Sequence, residues 1–133
     1  MSKVEYVNPA ALCAPPGNFS WLTQSGNIIW LSGMVAVDRS GAFIGEGDVE
    51  AQTQQIYANV DAALRERGGS ISNLVKTVTY VVGRENLGPM QRVRAAWKQS
   101  GKLTNLPAST LLLVAGLASP EYLVEMDAVA VVG

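Results

Sequence analysis

The chain has 133 residues, a hydrophobic fraction of 48% and a net charge of −1. These values predict a single domain over residues 1–133 with a packed core, and the near-neutral charge argues against nucleic acid as a partner. The absence of histidine excludes Ser-His-Asp and Cys-His catalysis, and a single cysteine leaves no conventional zinc site. We therefore expect no metal.

Other composition features narrow the class of protein further. No glycine-rich phosphate loop is present, so we expect no cofactor, and any chemistry must use carboxylates, hydroxyls, Lys or Arg, backbone groups and water. No signal-peptide core and no run of roughly 18 apolar residues is present, which predicts a cytoplasmic protein without membrane contact. Cys13 is interpreted as a small buried or idle thiol.

The first third of the chain predicts three strands. Residues 19–23 alternate between apolar and polar side chains, and residues 27–37 form a mostly buried apolar run. The turn residues at 38–41 allow residues 42–44 to return as a third, short strand.

The middle of the chain predicts two helices and a strand between them. Asp48 is a plausible N-cap of an amphipathic helix of about 20 residues that Gly68 and Gly69 end. Residues 73–82 are rich in β-branched side chains, which predicts a strand. Residues 89–100 form the second helix, and the basic side chains near it are expected to be solvated; these are Arg84, Arg92, Arg94, Lys98 and Lys102.

The C-terminal third predicts two more strands, residues 105–114 and 123–132, joined by a turn at residues 116–120. The second strand carries Glu125 and Asp127 among apolar residues. Burying an unpaired charge costs several kcal/mol, so this face is either exposed or functional. The resulting order, β-β-β-α-β-α-β-β, predicts an α+β fold with both helices on one face of a mixed sheet.

The sheet face without helices is predicted to mediate self-association. It carries large side chains such as Trp30, Val78 or Tyr80, and Leu112. A lone subunit would expose an apolar patch larger than monomers usually tolerate, which predicts a homo-oligomer.

Five segments, in order and at family spacing, resemble the RidA/YjgF family, also called endoribonuclease L-PSP. They are residues 29–33, 52–60, 74–81, 106–108 and 124–130. The resemblance covers nearly the whole chain and implies a chorismate-mutase-like fold: a mixed six-stranded sheet with two helices on one face, assembled as a homotrimer with three clefts between subunits. It also implies a small-molecule ligand, because studied members hydrolyse reactive enamines and imines such as 2-aminoacrylate and release ammonia.

Part of the family's site is kept in this sequence. Glu125 stands where the family has the glutamate that helps to position the attacking water, and Ser32 stands at the family's serine, followed by Gly33. The tyrosine position is Phe19, which keeps the ring and loses the hydroxyl.

Another part of the family's site is changed. The arginine that holds the substrate carboxylate is replaced by Ser109, and the small polar or thiol residue two places on is Leu111. A helix position that is often Asn falls on or near Arg94. Losing a charge-assisted clamp is expected to cost roughly ten- to a hundredfold in affinity for a carboxylated imine, so an atypical substrate is expected.

The enzyme hypothesis follows from these residues. Glu125 would orient or deprotonate water, with Ser109 as a second catalytic candidate, and the Ser109 and Thr110 hydroxyls would hold a substrate on which Phe19 stacks. The predicted substrate-binding set is Phe19, Ser32, Gly33, Arg94, Ser109, Thr110 and Leu111. Asp127 is assigned a structural or subunit-contact role. In a variant of this hypothesis, Arg94 reaches the cleft from the second helix and restores the anion clamp.

Two further classes of function remain open. The lost arginine and tyrosine hydroxyl also fit a non-catalytic trimer that binds a less acidic ligand or supports a partner enzyme. RNA cleavage is the least favoured, because no histidine is present for acid–base chemistry and Trp21, Trp30 and Trp97 stand at core-like positions.

Overall fold

The computed structural model describes residues 3–133 as one sheet with two helices on one face. The strands are β1 (Val4–Val7), β2 (Leu22–Ser25), β3 (Ile28–Met34), β4 (Leu74–Val82), β5 (Ala108–Val114) and β6 (Val124–Val131), and the helices are α1 (Val49–Arg65) and α2 (Leu87–Gln99). The strands lie in the order β1-β2-β3-β6-β4-β5. The predicted six-stranded mixed sheet with two helices is confirmed. Within the described residues, no helix is long and apolar enough to cross a membrane.

The first helix begins at the predicted cap. The Asp48 carboxylate accepts a hydrogen bond from the Ala51 amide at 3.1 Å, which satisfies one of the free N–H groups of the first turn. The helix has 17 residues, fewer than predicted, because the Gly69 amide bonds back to the Leu64 carbonyl at 2.9 Å and closes its end. Gly68 has a φ of +82°, a conformation that favours glycine.

The core lies between the helices and one face of the sheet. Alternate residues of β3 and β6 point into it, so Ile29 and Leu31 are buried beside Met126 and Ala128. Their neighbours along each strand, Glu125 among them, therefore lie on the opposite face.

The strand count is as predicted, but the membership differs. Phe19 lies outside the sheet, β2 begins only at Leu22, and residues 42–44 form a single bridge between Val37 and Phe43. The edge strand β1 (Val4–Val7) was not predicted, because its side chains are mostly exposed and carry little hydrophobic pattern.

The two C-terminal strands are consecutive in sequence but are not neighbours in the sheet. Strand β4 lies between them, paired antiparallel to β6 and parallel to β5. Helix α2 makes the crossover from β4 to β5, as a parallel pair requires. In this register Thr77 is the partner of Ser109, which places two hydroxyls side by side under α2.

The face without helices is open, as the pattern predicted. Trp30 is 44% exposed and Leu112 is 43% exposed on it. Of the three tryptophans expected at core positions, Trp21 and Trp97 are buried and Trp30 is not. On the same face, the Tyr80 hydroxyl donates to the Asp127 carboxylate at 2.7 Å, which raises the pKa of Tyr80 above its usual value.

Candidate functional site

A cleft of about 470 Å³ lies where β3, the start of β6 and the segment between β5 and β6 meet. It brings together four of the predicted site residues, Phe19, Ser32, Gly33 and Glu125. The remaining lining residues are Pro16, Trp21, Val35, Ala118, Ser119 and Tyr122. We call this the Glu125 cleft.

Glu125 is the ionisable group of this cleft. Partial burial raises the pKa of its carboxyl above the usual value of 4.5, and the nearby negative charge of Asp127 raises it further. The carboxyl rests against the backbone of Gly33, where a Cβ atom would lie 2.5 Å from Oε2. Only glycine leaves this space free. A carboxyl with a raised pKa exchanges a proton more readily near neutral pH than an ordinary glutamate.

Ser32 and Phe19 both line the Glu125 cleft. The Ser32 hydroxyl donates to the Ser20 carbonyl at 2.6 Å, so its proton is engaged and its oxygen can accept a hydrogen bond from a ligand. The Phe19 ring stands edge-on to Trp21, with ring centroids 5.4 Å apart, and it is 44% exposed. An exposed ring held by a buried one provides a stacking surface.

The segment between β5 and β6 also lines the Glu125 cleft, which the sequence did not predict. Ala118, Ser119 and Tyr122 line the Glu125 cleft from the segment between β5 and β6. Buried Gln52 on α1 fixes this segment: its amide nitrogen donates to the Glu121 carbonyl at 3.1 Å, and its amide oxygen accepts from the Leu123 amide at 2.9 Å. In the sequence, the feature that could have indicated this contact is a glutamine on the core-facing side of an amphipathic helix.

The remaining predicted site residues lie elsewhere. Arg94 and Ser109 line a second cavity of about 170 Å³, and Arg94 Nη1 lies 3.4 Å from Ser109 Oγ. Thr110 lies on the open face and accepts from the Lys76 ammonium at 2.7 Å. Leu111 packs against the core. Within one subunit, Ser109 and Arg94 therefore do not share a cavity with Glu125.

Arg94 departs from the solvated helix face that the sequence predicted. Its Nε donates to the Tyr57 hydroxyl at 3.1 Å, and its Nη2 is buried. Arg92, two residues earlier, is exposed and pairs with Glu50 at 3.4 Å. Because α2 turns about 100° per residue, neighbouring arginines face different surroundings.

A site for a metal ion would need a cluster of ligating side chains within the described part of the chain. No group of three or more Cys, Asp or Glu side chains there is arranged to hold a metal ion. The arrangement instead offers a carboxyl with a raised pKa, a hydroxyl acceptor and an aromatic surface, which suits proton transfer to or from a small bound molecule.

Comparisons with known proteins point to one family. The family model described as Endoribonuclease L-PSP matches residues 10–132. A RutC family protein from Synechocystis is 30% identical over 129 residues, covering 96% of each chain. Mouse 2-iminobutanoate/2-iminopropanoate deaminase is 29% identical over 125 residues, covering 94% of this chain and 86% of the mouse protein.

The solved structures agree with the sequence comparisons. The crystal structure of a protein of unknown function from Pseudomonas aeruginosa superposes with a TM-score of 0.82 at 32% identity, covering 99% of this chain and 94% of the other. The motifs, the sheet order and these matches together show that the chain belongs to the endoribonuclease L-PSP family, which is the RidA/YjgF family.

Proposed function

We propose that this protein deaminates a small imine or enamine by hydrolysis in the Glu125 cleft. The observation that carries the proposal is the Glu125 carboxyl, whose pKa is raised by burial inside a cleft that also holds Ser32 and Phe19. The name of the mouse relative, an imine deaminase, supports the same chemistry.

The reaction requires one proton acceptor and one water molecule. Glu125 takes a proton from water as the water oxygen attacks the C=N carbon, and passes this proton to the imine nitrogen to give a carbinolamine. The carboxylate then takes the carbinolamine hydroxyl proton and delivers it to the amino group, which leaves as ammonia as the C–O bond becomes C=O. One imine and one water thus give one carbonyl compound and one ammonia, and Glu125 ends as it began. An enamine enters the same sequence after protonation at carbon. Moving these protons through a positioned carboxylate contributes typically 10²- to 10⁴-fold to the rate.

The site is proposed to be completed by a second subunit in a homotrimer working in the cytoplasm. Arg94 and Ser109 lie apart from the Glu125 cleft within one chain, and the open face exposes large side chains such as Trp30 and Leu112. Packing such faces together would bury apolar surface. Because β5 is an edge strand of the sheet, Ser109 and the nearby Arg94 lie at a border that can approach the Glu125 side of the next subunit.

The substrate is proposed to be atypical for the family because of residue 109. Ser109 has no charge, and its hydroxyl contributes less to the binding of a carboxylate than an arginine fork would. If the substrate has an acid group, a residue outside β5 has to bind it.

Ammonia release tests the proposal. Freshly generated 2-iminopropanoate and an imine without a carboxylate are given to the wild-type protein, to Glu125→Gln and to Glu121→Gln. Glu121 is a matched control, since it is an exposed carboxylate in the neighbouring loop. We expect the wild type and Glu121→Gln to clear at least one imine, and Glu125→Gln to be slower by about 10²- to 10⁴-fold.

Failure to clear either imine above the uncatalysed rate would reject the hydrolase proposal. The alternative, a non-catalytic trimer that binds a ligand, would then be supported by calorimetric binding without turnover.

A further inference from the structure

The Glu125 cleft carries negative charge that its lining does not balance. Among the described residues that line it, Glu125 is the only one charged near neutral pH, and no lysine or arginine is present. Asp127 lies two residues further along β6, and its negative charge acts on the Glu125 carboxyl. A cleft lined by charge of one sign concentrates ligands of the opposite sign. Within one subunit, the cleft therefore favours a cation over an anion.

The Glu125 carboxylate is not neutralised by the rest of the chain either. Within residues 3–133, Glu125 takes part in none of the ion pairs, although its side chain is half-buried. A carboxylate that is partly removed from water is stabilised by a positively charged partner whose N–H groups donate to it. A ligand with a charged N–H group would supply the partner that this carboxylate lacks.

Aromatic rings in the same cleft give a second observation that does not depend on charge. Phe19 is exposed in the cleft, and its ring is held edge-on by Trp21. Tyr122 lines the cleft from the segment between β5 and β6, and its ring packs against Phe43 with centroids 5.5 Å apart. The face of an aromatic ring attracts cations and also covers the apolar part of a ligand. Rings from two segments beside one carboxylate are a combination that suits an organic ammonium ion.

We infer that the Glu125 cleft binds an apolar organic cation, whose charged N–H group contacts Glu125 and whose hydrocarbon part lies against Phe19 and Tyr122. The cleft volume of about 470 Å³ leaves room for a substituent as large as a phenyl ring. For turnover the inference rests on the proposed function: an imine becomes a cation when its nitrogen is protonated, so the substrate is a protonated imine with an apolar substituent and no acid group. One such ion and one water give one carbonyl compound and one ammonium ion, and Glu125 again ends ionised.

Ligands that differ only in charge test the inference without relying on turnover. The intact protein is titrated calorimetrically near neutral pH with benzylammonium, benzyl alcohol and phenylacetate, which share a phenyl ring and a methylene group and are cationic, neutral and anionic. The variants are Glu125→Gln, Phe19→Leu and the control Glu50→Gln, which removes the same charge from an exposed position of α1 outside the cleft. Melting temperatures with and without benzylammonium show whether each variant is folded and whether it still responds to ligand.

We expect the wild type and Glu50→Gln to bind benzylammonium most tightly, benzyl alcohol more weakly and phenylacetate least. Glu125→Gln should lose about ten- to a hundredfold in affinity for benzylammonium, because the charge-assisted hydrogen bond is gone, and little in affinity for benzyl alcohol. Phe19→Leu should lose about two- to fivefold for benzylammonium and less for benzyl alcohol, because leucine keeps the apolar contact but has no ring face for a cation.

Unchanged benzylammonium affinity in a folded Glu125→Gln would overturn the inference. Wild-type protein that does not bind benzylammonium, or that binds phenylacetate as tightly, would overturn it as well. The two proposals fail separately. Benzylammonium binding that depends on Glu125, without clearance of any imine, would keep the cation site and reject the hydrolase, whereas clearance of 2-iminopropanoate by a protein that does not bind benzylammonium would do the reverse.

Discussion

Individual carboxylates in this chain occupy two kinds of surroundings. Glu121 is exposed and Asp38 is partly exposed, and they accept hydrogen bonds from Ser119 and Ser40, which hold their pKa values below the usual range. Glu125 lies half-buried against Gly33, and both burial and the charge of Asp127 raise its pKa. Desolvation, and not position in the sequence, explains why the pKa of Glu125 is raised whereas the other two are lowered. Glu125 is therefore the carboxylate best suited to proton transfer.

The raised pKa of Glu125 predicts the pH dependence of the proposed activity. Only the ionised carboxylate accepts a proton, so the rate should fall on the acid side with a midpoint above 4.5. Asp127→Asn keeps an oxygen acceptor for Tyr80 and removes a charge that raises the Glu125 pKa, so this midpoint should move to lower pH. Rate measurements from pH 4 to 8 on both proteins test this, and an unmoved midpoint contradicts it.

The raised pKa of Glu125 also makes the stability of the fold depend on pH. The folded state binds the Glu125 proton more tightly than the unfolded chain does, because the folded pKa is the higher one. This contribution is complete below the unfolded pKa and is lost as the pH rises through the folded pKa. It therefore favours folding at acid pH, in the range where the proposed activity is low.

At the scale of elements, the wall of the Glu125 cleft depends on a contact between α1 and a distant loop. Gln52 donates to the carbonyls of Gly45 and Glu121 and accepts from the Leu123 amide. Buried backbone groups of irregular segments need such partners, because no neighbouring strand supplies them. The helix thus positions residues of the loop that line the cleft.

Gln52→Leu should destabilise the protein by about 3 kcal/mol, because it leaves buried backbone groups without partners. The reason for a large effect is the loss of all three hydrogen bonds at once. Gln55→Leu is the matched control, since Gln55 makes one hydrogen bond, to Asn59 in the same helix, and should cost less than about 1 kcal/mol. Urea unfolding measures the stability of both variants. Equal unfolding midpoints for the two would contradict the conclusion that Gln52 holds the loop through its hydrogen bonds.

For the whole molecule, the asymmetry of the sheet is the main feature. One face is covered by α1 and α2, whereas the other exposes Trp30 and Leu112 next to the Tyr80–Asp127 pair. Large exposed apolar side chains on one surface mark interaction sites. A symmetric oligomer would bury this surface.

Leu112→Asp should convert the proposed oligomer to a monomer, because it would bury an unpaired carboxylate at the interface. The control is Ala95→Asp, which adds the same charge at an exposed position of α2. Sedimentation velocity at micromolar concentration distinguishes the two. A wild-type protein that sediments as a monomer would remove the prediction altogether.

Much of the fold was predictable because its determinants are local. The 3.6-residue period and the Asp48 cap predict α1, the β-branched run predicts β4, and alternation in β6 places Glu125 and Asp127 on the same face. The edge strand β1 was not predicted, because exposed strands carry little hydrophobic pattern. The strand expected at residues 42–44 is only a single bridge, so the sheet has six strands with β1 as one of them.

The sequence by itself determined the helices, most strands, the family and the face that carries Glu125, since each depends on spacing along the chain. Only the tertiary structure decided that Arg94 is not fully solvated on the helix surface but contacts Tyr57 and Ser109. It also decided that β4 separates β5 from β6, and that Glu125 lies half-buried against Gly33. These outcomes depend on packing between residues far apart in sequence, and local pattern carries no information about which partner each side chain finds.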